Sequence, residues 1–115
     1  MIRGDIHLVN LDPVIGAEAD KRRPAVIVSN DGANATAVRL GRGVLTVVPV
    51  TSRVGRVHPF QVKLPAGSTG LRADSKAQAE QVRSVAVQRM GPRVGRVPAD
   101  LMSLVDEALR IHLAL

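Results

Sequence analysis

Apolar and polar positions fall into short runs separated by turn residues. "IHLVNL" alternates and predicts a first strand that stops at Asp12-Pro13. "PVIGAEADKRR", punctuated by Pro and Gly, predicts a loop. "AVIVS" is a continuous apolar run and predicts a central strand, and "NDGANATAVRLGRG" reads as turn-rich with room for one short helix. "VLTVVPV" predicts a third strand in which Pro49 marks an end, an edge or a bulge. In "FQVKL", Phe60, Val62 and Leu64 point one way and Gln61 and Lys63 the other. "PAGSTGLRADS" reads as a loop. "AEQVRSVAV" contains a further strand, which carries Glu80 and Gln81, and "RVGRV" a last short one. Pro98 then opens a helix. Leu101, Leu104, Val105, Ala108, His112 and Leu115 make its apolar stripe, and Met102, Leu109 and Leu113 widen it.

Several short strands and one terminal helix predict an α+β fold: a small, mostly antiparallel β-barrel or curled sheet with a C-terminal helix. The 115 residues fit one domain, spanning 1–115. The broad apolar helix predicts that a second copy covers part of the surface.

Composition narrows the function. Sixteen Lys and Arg against ten Asp and Glu leave a charge of +6, spread along the chain, so a basic face toward a polyanion is expected. One Phe and no Tyr or Trp rule out the stacked aromatic platform of many single-strand binders. The chain has no cysteine, hence no disulfide and no thiolate metal site, and no histidine cluster has metal-ligand spacing. No apolar run approaches the roughly 20 residues that span a bilayer, and the N-terminus lacks a signal-peptide core. A cytoplasmic protein without metal or cofactor is expected.

The cluster "KRRP" stands directly before "AVIVS". If "AVIVS" and "VLTVVPV" pair antiparallel, Arg23 comes beside Thr51 at one rim. A guanidinium offers a planar fork of donors to phosphate oxygens and a threonine offers one more. RNA brings its own nucleophile, the 2′-hydroxyl, so cleavage needs chiefly stabilisation of charge developing on phosphorus. A guanidinium keeps its proton at ordinary pH, which favours charge stabilisation or donation to the leaving oxygen over general-base work.

"RGDIHLVNLDPVIGAEADKRRPAVIVSND", followed in order by "VVPVTS", "HPFQVKLP", "AEQVRSV" and "DEALRIHLAL", resembles the MazF/PemK toxin family over essentially the whole chain. The resemblance implies an SH3-like barrel with a terminal helix. It also implies a homodimeric, metal-independent, sequence-specific endoribonuclease that cuts single-stranded RNA to a 2′,3′-cyclic phosphate and a 5′-hydroxyl. A cognate acidic, MazE-like antitoxin would occupy the RNA groove. Carried over by residue, the resemblance makes Arg23 and Thr51 catalytic and places Glu18, Glu80 and Gln81 at the RNA. The loop "GAE" has Ala17 where the family carries Ser, which bears on substrate preference.

Around that pair, Lys21, Arg22, Arg53 and Arg56 are expected to attract phosphates, Ser52 is a substitute donor, and His58 is a helper acid in a basic loop. Glu18 either pairs with Lys21 or meets the RNA, and Glu80 either bridges to an arginine or contacts substrate. His7 is expected to be structural, and His112 to be a core or interface residue. Two other functions share the pattern: a gyrase-poisoning toxin, which the absence of a C-terminal aromatic disfavours, and a non-catalytic nucleic-acid-binding barrel.

Overall fold

A computed structural model describes residues 1–11 and 22–115. Its elements are β1 (Asp5–Asn10), β2 (Arg22–Ile27), α1 (Asp31–Leu40), β3 (Val44–Thr51), β4 (Gln61–Leu64), α2 (Ala66–Thr69), β5 (Ser75–Gln78), β6 (Arg83–Ala86), β7 (Met90–Arg96) and α3 (Ala99–Leu113). No helix is long and apolar enough to cross a membrane.

The α+β class, the antiparallel pairing and the terminal helix match expectation; the closed SH3-like barrel does not. The strands form one open sheet in the order β4-β5-β3-β2-β1-β7, with β6 also on β3. Closure would require β4 to meet β7. Instead the chain turns from β4 into α2, whose Thr69 carbonyl lies against Gly95 of β7, while α3 packs on β4. Helices thus occupy the space where the two edges would join.

β3 explains much of the local form. Val44–Val47 pair with β6, whereas Val50 and Thr51 pair with β5. Pro49 sits at the change of partner, where its missing N–H removes no ladder bond on that edge. On the other edge β3 pairs with β2 through Ala25↔Pro49, Val26↔Val48 and Ile27↔Val47. Extending that register by two residues brings Arg23 level with Thr51, the juxtaposition expected from the sequence.

The core has two parts because strand side chains alternate. Ile6, Val26, Val48, Val50, Val62 and Leu64 pack against Met102, Val105 and Ala108 of α3. Val9, Ala25, Ile27, Leu45, Val47 and Val85 pack on the other face, with Ala37 of α1. Arg23 shares the strand face of Ala25 and Ile27, and Thr51 that of Val47.

Three expectations change, and the one short helix allowed after β2 takes definite form. The turn-rich stretch after β2 holds a ten-residue helix, α1, capped by Asn30, whose side chain accepts from Ala33 N–H, and closed by Gly41 at φ 64. Arg22 and Arg23 belong to β2 rather than to the loop before it. Glu80 and Gln81 lie in a 3-10 turn, not a strand. The stripe of α3 is narrower than expected: Met102, Val105 and Ala108 are buried, while Leu104, His112 and Leu115 are exposed. His112 is therefore no core residue in this chain.

Candidate nucleic-acid site

Arg23 is held from two directions. Its Nη2 donates to the Val50 carbonyl at 3.3 Å and to Gln78 Oε1 at 2.9 Å. Because β2 packs beside β3 and β3 beside β5, the guanidinium lies where three strands meet, next to the last residue of β3. That residue is Thr51. Its Oγ1 accepts from Arg53 N–H at 3.2 Å, and no acceptor among the described residues takes its own proton. The hydroxyl can therefore donate to an incoming anion.

The segment after Thr51 carries the expected basic residues. Ser52, Arg53 and Arg56 are exposed. His58 is half-buried, its ring stacked on Phe60 with centroids 5.1 Å apart. This loop is tied to the sheet twice: His58 N–H donates to Gln61 Oε1 at 3.1 Å, and Lys76 Nζ donates to the Arg56 carbonyl at 2.6 Å.

Glu80 faces the same region from the 3-10 turn. Gln61 Nε2 donates to its Oε2 at 2.6 Å, while its buried Oε1 has no partner. Glu80 thus pairs with an amide and not with an arginine. Gln81 is exposed at the end of that turn. Arg22 diverges from Arg23: its Nη2 lies over Gly91 of β7, two strands away. Glu18 and Lys21 lie outside the described residues.

His7 is buried, with Nδ1 donating to the Gly91 carbonyl at 2.8 Å, in keeping with a structural role. Among the described residues no group of three His, Cys, Asp or Glu side chains could hold a metal ion.

Sequence reasoning missed Gln78, Lys76 and Gln61 as parts of this site. All three sit on the β4–β5 hairpin, where Gln61 pairs with Gln78, and Thr51 of β3 pairs with Lys76. "SKAQ" has only one apolar residue and reads as loop. The available signal was indirect: "FQVKL" needs a partner strand, and the turn-rich segment after it leads back at Ser75.

Residues 2–113 match the family described as PemK-like, MazF-like toxin of type II toxin-antitoxin system. The chain is 60% identical over 115 residues to endoribonuclease MazF9 of Mycobacterium tuberculosis, covering 100% of this chain and 98% of that protein. Its fold is similar to crystalline MazF from Deinococcus radiodurans, with a TM-score of 0.79 and 28% identity over 100% of this chain and 97% of that one. A similar likeness holds for the MazE–MazF complex from that organism, at TM-score 0.74 and 26% identity over 100% of this chain and 96% of that one.

Proposed function

Because the chain belongs to the PemK-like, MazF-like toxins of type II toxin–antitoxin systems, we propose that it is a toxin that cuts single-stranded RNA without a metal ion. The observation that carries this reading is the Arg23 guanidinium fixed against Gln78 and the carbonyl of Val50, the residue before Thr51.

In this mechanism the substrate's 2′-hydroxyl gives its proton to one of the carboxylates Glu18 or Glu80, its oxygen attacks the neighbouring phosphorus, and the bond to the 5′-oxygen breaks. The products are a 2′,3′-cyclic phosphate and a 5′-hydroxyl. Arg23 and Thr51 donate to the phosphoryl oxygens as charge develops there, a contribution worth roughly 10²–10³ in rate per donor removed in comparable sites. The leaving 5′-oxygen takes a proton as it departs, and the guanidinium is the adjacent donor. Arg53 and Arg56 attract flanking phosphates, and Ser52 adds a hydroxyl next to Thr51. Glu18 and Glu80 are the carboxylates assigned to the RNA, as proton acceptor or base-edge contact.

The acidic MazE-like antitoxin is assigned to the same basic face, supported by the resemblance to the MazE–MazF complex. A second copy of the chain is the proposed partner for apolar surface that α3 leaves open at Leu104, Ile111 and Leu113, all about half exposed.

The deciding experiment is incubation of the purified protein with single-stranded RNA in excess EDTA. Cleavage leaving a cyclic phosphate and a 5′-hydroxyl supports the reading. Intact RNA, or 5′-phosphate ends, sinks it.

A further inference from the structure

Lys76 is 8% exposed and has no carboxylate partner among the described residues. Burying a cation without a counter-charge is unfavourable, and one carbonyl offsets only part of that cost. Yet Lys76 stands directly across the ladder from Thr51, and its ammonium uses its hydrogen bond to hold the Arg56 carbonyl.

Gln78 stands two residues along the same strand, so its side chain leaves the same face. It gives the Arg23 guanidinium its only side-chain acceptor among the described residues. Each strand position thus grips a different part of the site. Gln78 holds the arginine assigned to the scissile phosphate, and Lys76 holds the loop that carries Arg53 and Arg56.

We infer that Lys76 and Gln78 are positioning residues that divide the work of the site: Gln78 sets the Arg23 guanidinium for the chemical step, and Lys76 sets the basic loop for RNA binding. The inference rests on the ribonuclease reading of Arg23 and Thr51. An amide is the right group at position 78. It engages one of the five guanidinium N–H donors, the Val50 carbonyl takes a second, and the other three, with the full charge, remain for phosphate. A carboxylate there would form a paired, charge-assisted contact and withdraw that charge.

The two roles separate kinetically. A residue serving only the transition state changes kcat, whereas one serving ground-state binding changes KM. Gln78→Leu is expected to lower kcat about tenfold with KM within about twofold. Gln78→Glu is expected to lower kcat at least as far although it keeps an acceptor in place. Lys76→Met is expected to raise KM about tenfold with kcat within about twofold, and Lys76→Arg to restore most of the loss. Met matches the length of the lysine stem and carries no buried charge, so the thermal midpoint of Lys76→Met should not fall.

Two measurements need no cleavage. Hydrogen exchange at the His58 and Arg53 amides should accelerate in Lys76→Met and not in Gln78→Leu. NMR relaxation of the Arg23 side chain should show added mobility in Gln78→Leu and not in Lys76→Met. Equal effects of both substitutions on kcat and KM, or unchanged exchange and relaxation, would overturn the inference. A wild-type protein that leaves RNA intact would instead overturn the functional reading, while exchange and relaxation still decide whether Lys76 and Gln78 hold their targets.

Discussion

The Nη2 of Arg23 donates to the carbonyl of Val50, the residue that precedes Thr51. This one contact joins the start of β2 to the end of β3. It follows from the register of the two strands, in which Ala25 faces Pro49. A slip by one residue would turn Arg23 to the opposite face of the sheet and part it from Thr51. Register is held because each face has its own apolar set: Val26, Val48 and Val50 on one, Ala25, Ile27 and Val47 on the other. Core packing is therefore what places the guanidinium at the carbonyl that precedes Thr51.

Removing either donor should abolish most activity without unfolding the protein. Arg23→Ala and Thr51→Ala are each expected to lower the cleavage rate by roughly 10²–10³. Both side chains are only partly buried and lie at strand ends, so circular dichroism and the thermal midpoint should stay near wild type. Folded variants that cut at the wild-type rate would place the site elsewhere.

The parts of this arrangement legible in the sequence are those written in apolar residues. "AVIVS", "VLTVVPV" and "FQVKL" show their strands because burial demands a pattern. The order of the first two was enough to bring Arg23 to Thr51. β5 was illegible because Ser75 and Lys76 are polar residues buried by their partners, not by their own hydrophobicity, and Gln78 is a polar residue only half-buried. α1 was obscured by Asn, Thr and Gly, which favour turns when read one at a time. The open sheet was illegible for a different reason. Strand count and alternation do not say whether two edges meet, and here α2 and α3 fill the space between them.

RNA binding should weaken steeply with salt, and the basic loop should carry part of that slope. Binding to single strands releases counterions with a slope of about −0.7 per phosphate neutralised. Arg53→Ala and Arg56→Ala should each make the slope of log K against log salt shallower by about 0.7. Both residues are exposed, so stability should not change. Titration of a catalytically inactive variant with labelled RNA at several salt concentrations gives the slopes; unchanged slopes would remove the loop from the interface.

Gly95 should tolerate no side chain. A Cβ there would collide with the Thr69 carbonyl, a backbone atom that cannot swing aside. Gly95→Ala must push α2 from β7 and is expected to cost about 1–3 kcal/mol. Gly55, with nothing near its would-be Cβ, is the control. Urea unfolding of the two alanine variants compares them. Equal midpoints would mean that α2 yields freely.

The asparagine that caps α1 and the one buried within it should differ in what their removal costs. Asn30 caps the helix by accepting from Ala33 N–H at 2.8 Å and is exposed, so Asn30→Ala should cost about 1 kcal/mol. Asn34 is fully buried. Its Nδ2 donates to the Ser29 carbonyl at 2.9 Å and its Oδ1 accepts from the Ser29 hydroxyl. Ser29 Oγ in turn accepts from Thr46 N–H at 3.1 Å, which links the helix to β3. Asn34→Ala leaves a carbonyl and a hydroxyl without their partner in a dry site, each unmet group costing about 1–3 kcal/mol. It should therefore destabilise more than Asn30→Ala, although alanine is the better helix former. Denaturant midpoints of the two variants rank them. The reverse order would mean that water enters behind α1 and satisfies Ser29 in place of the amide.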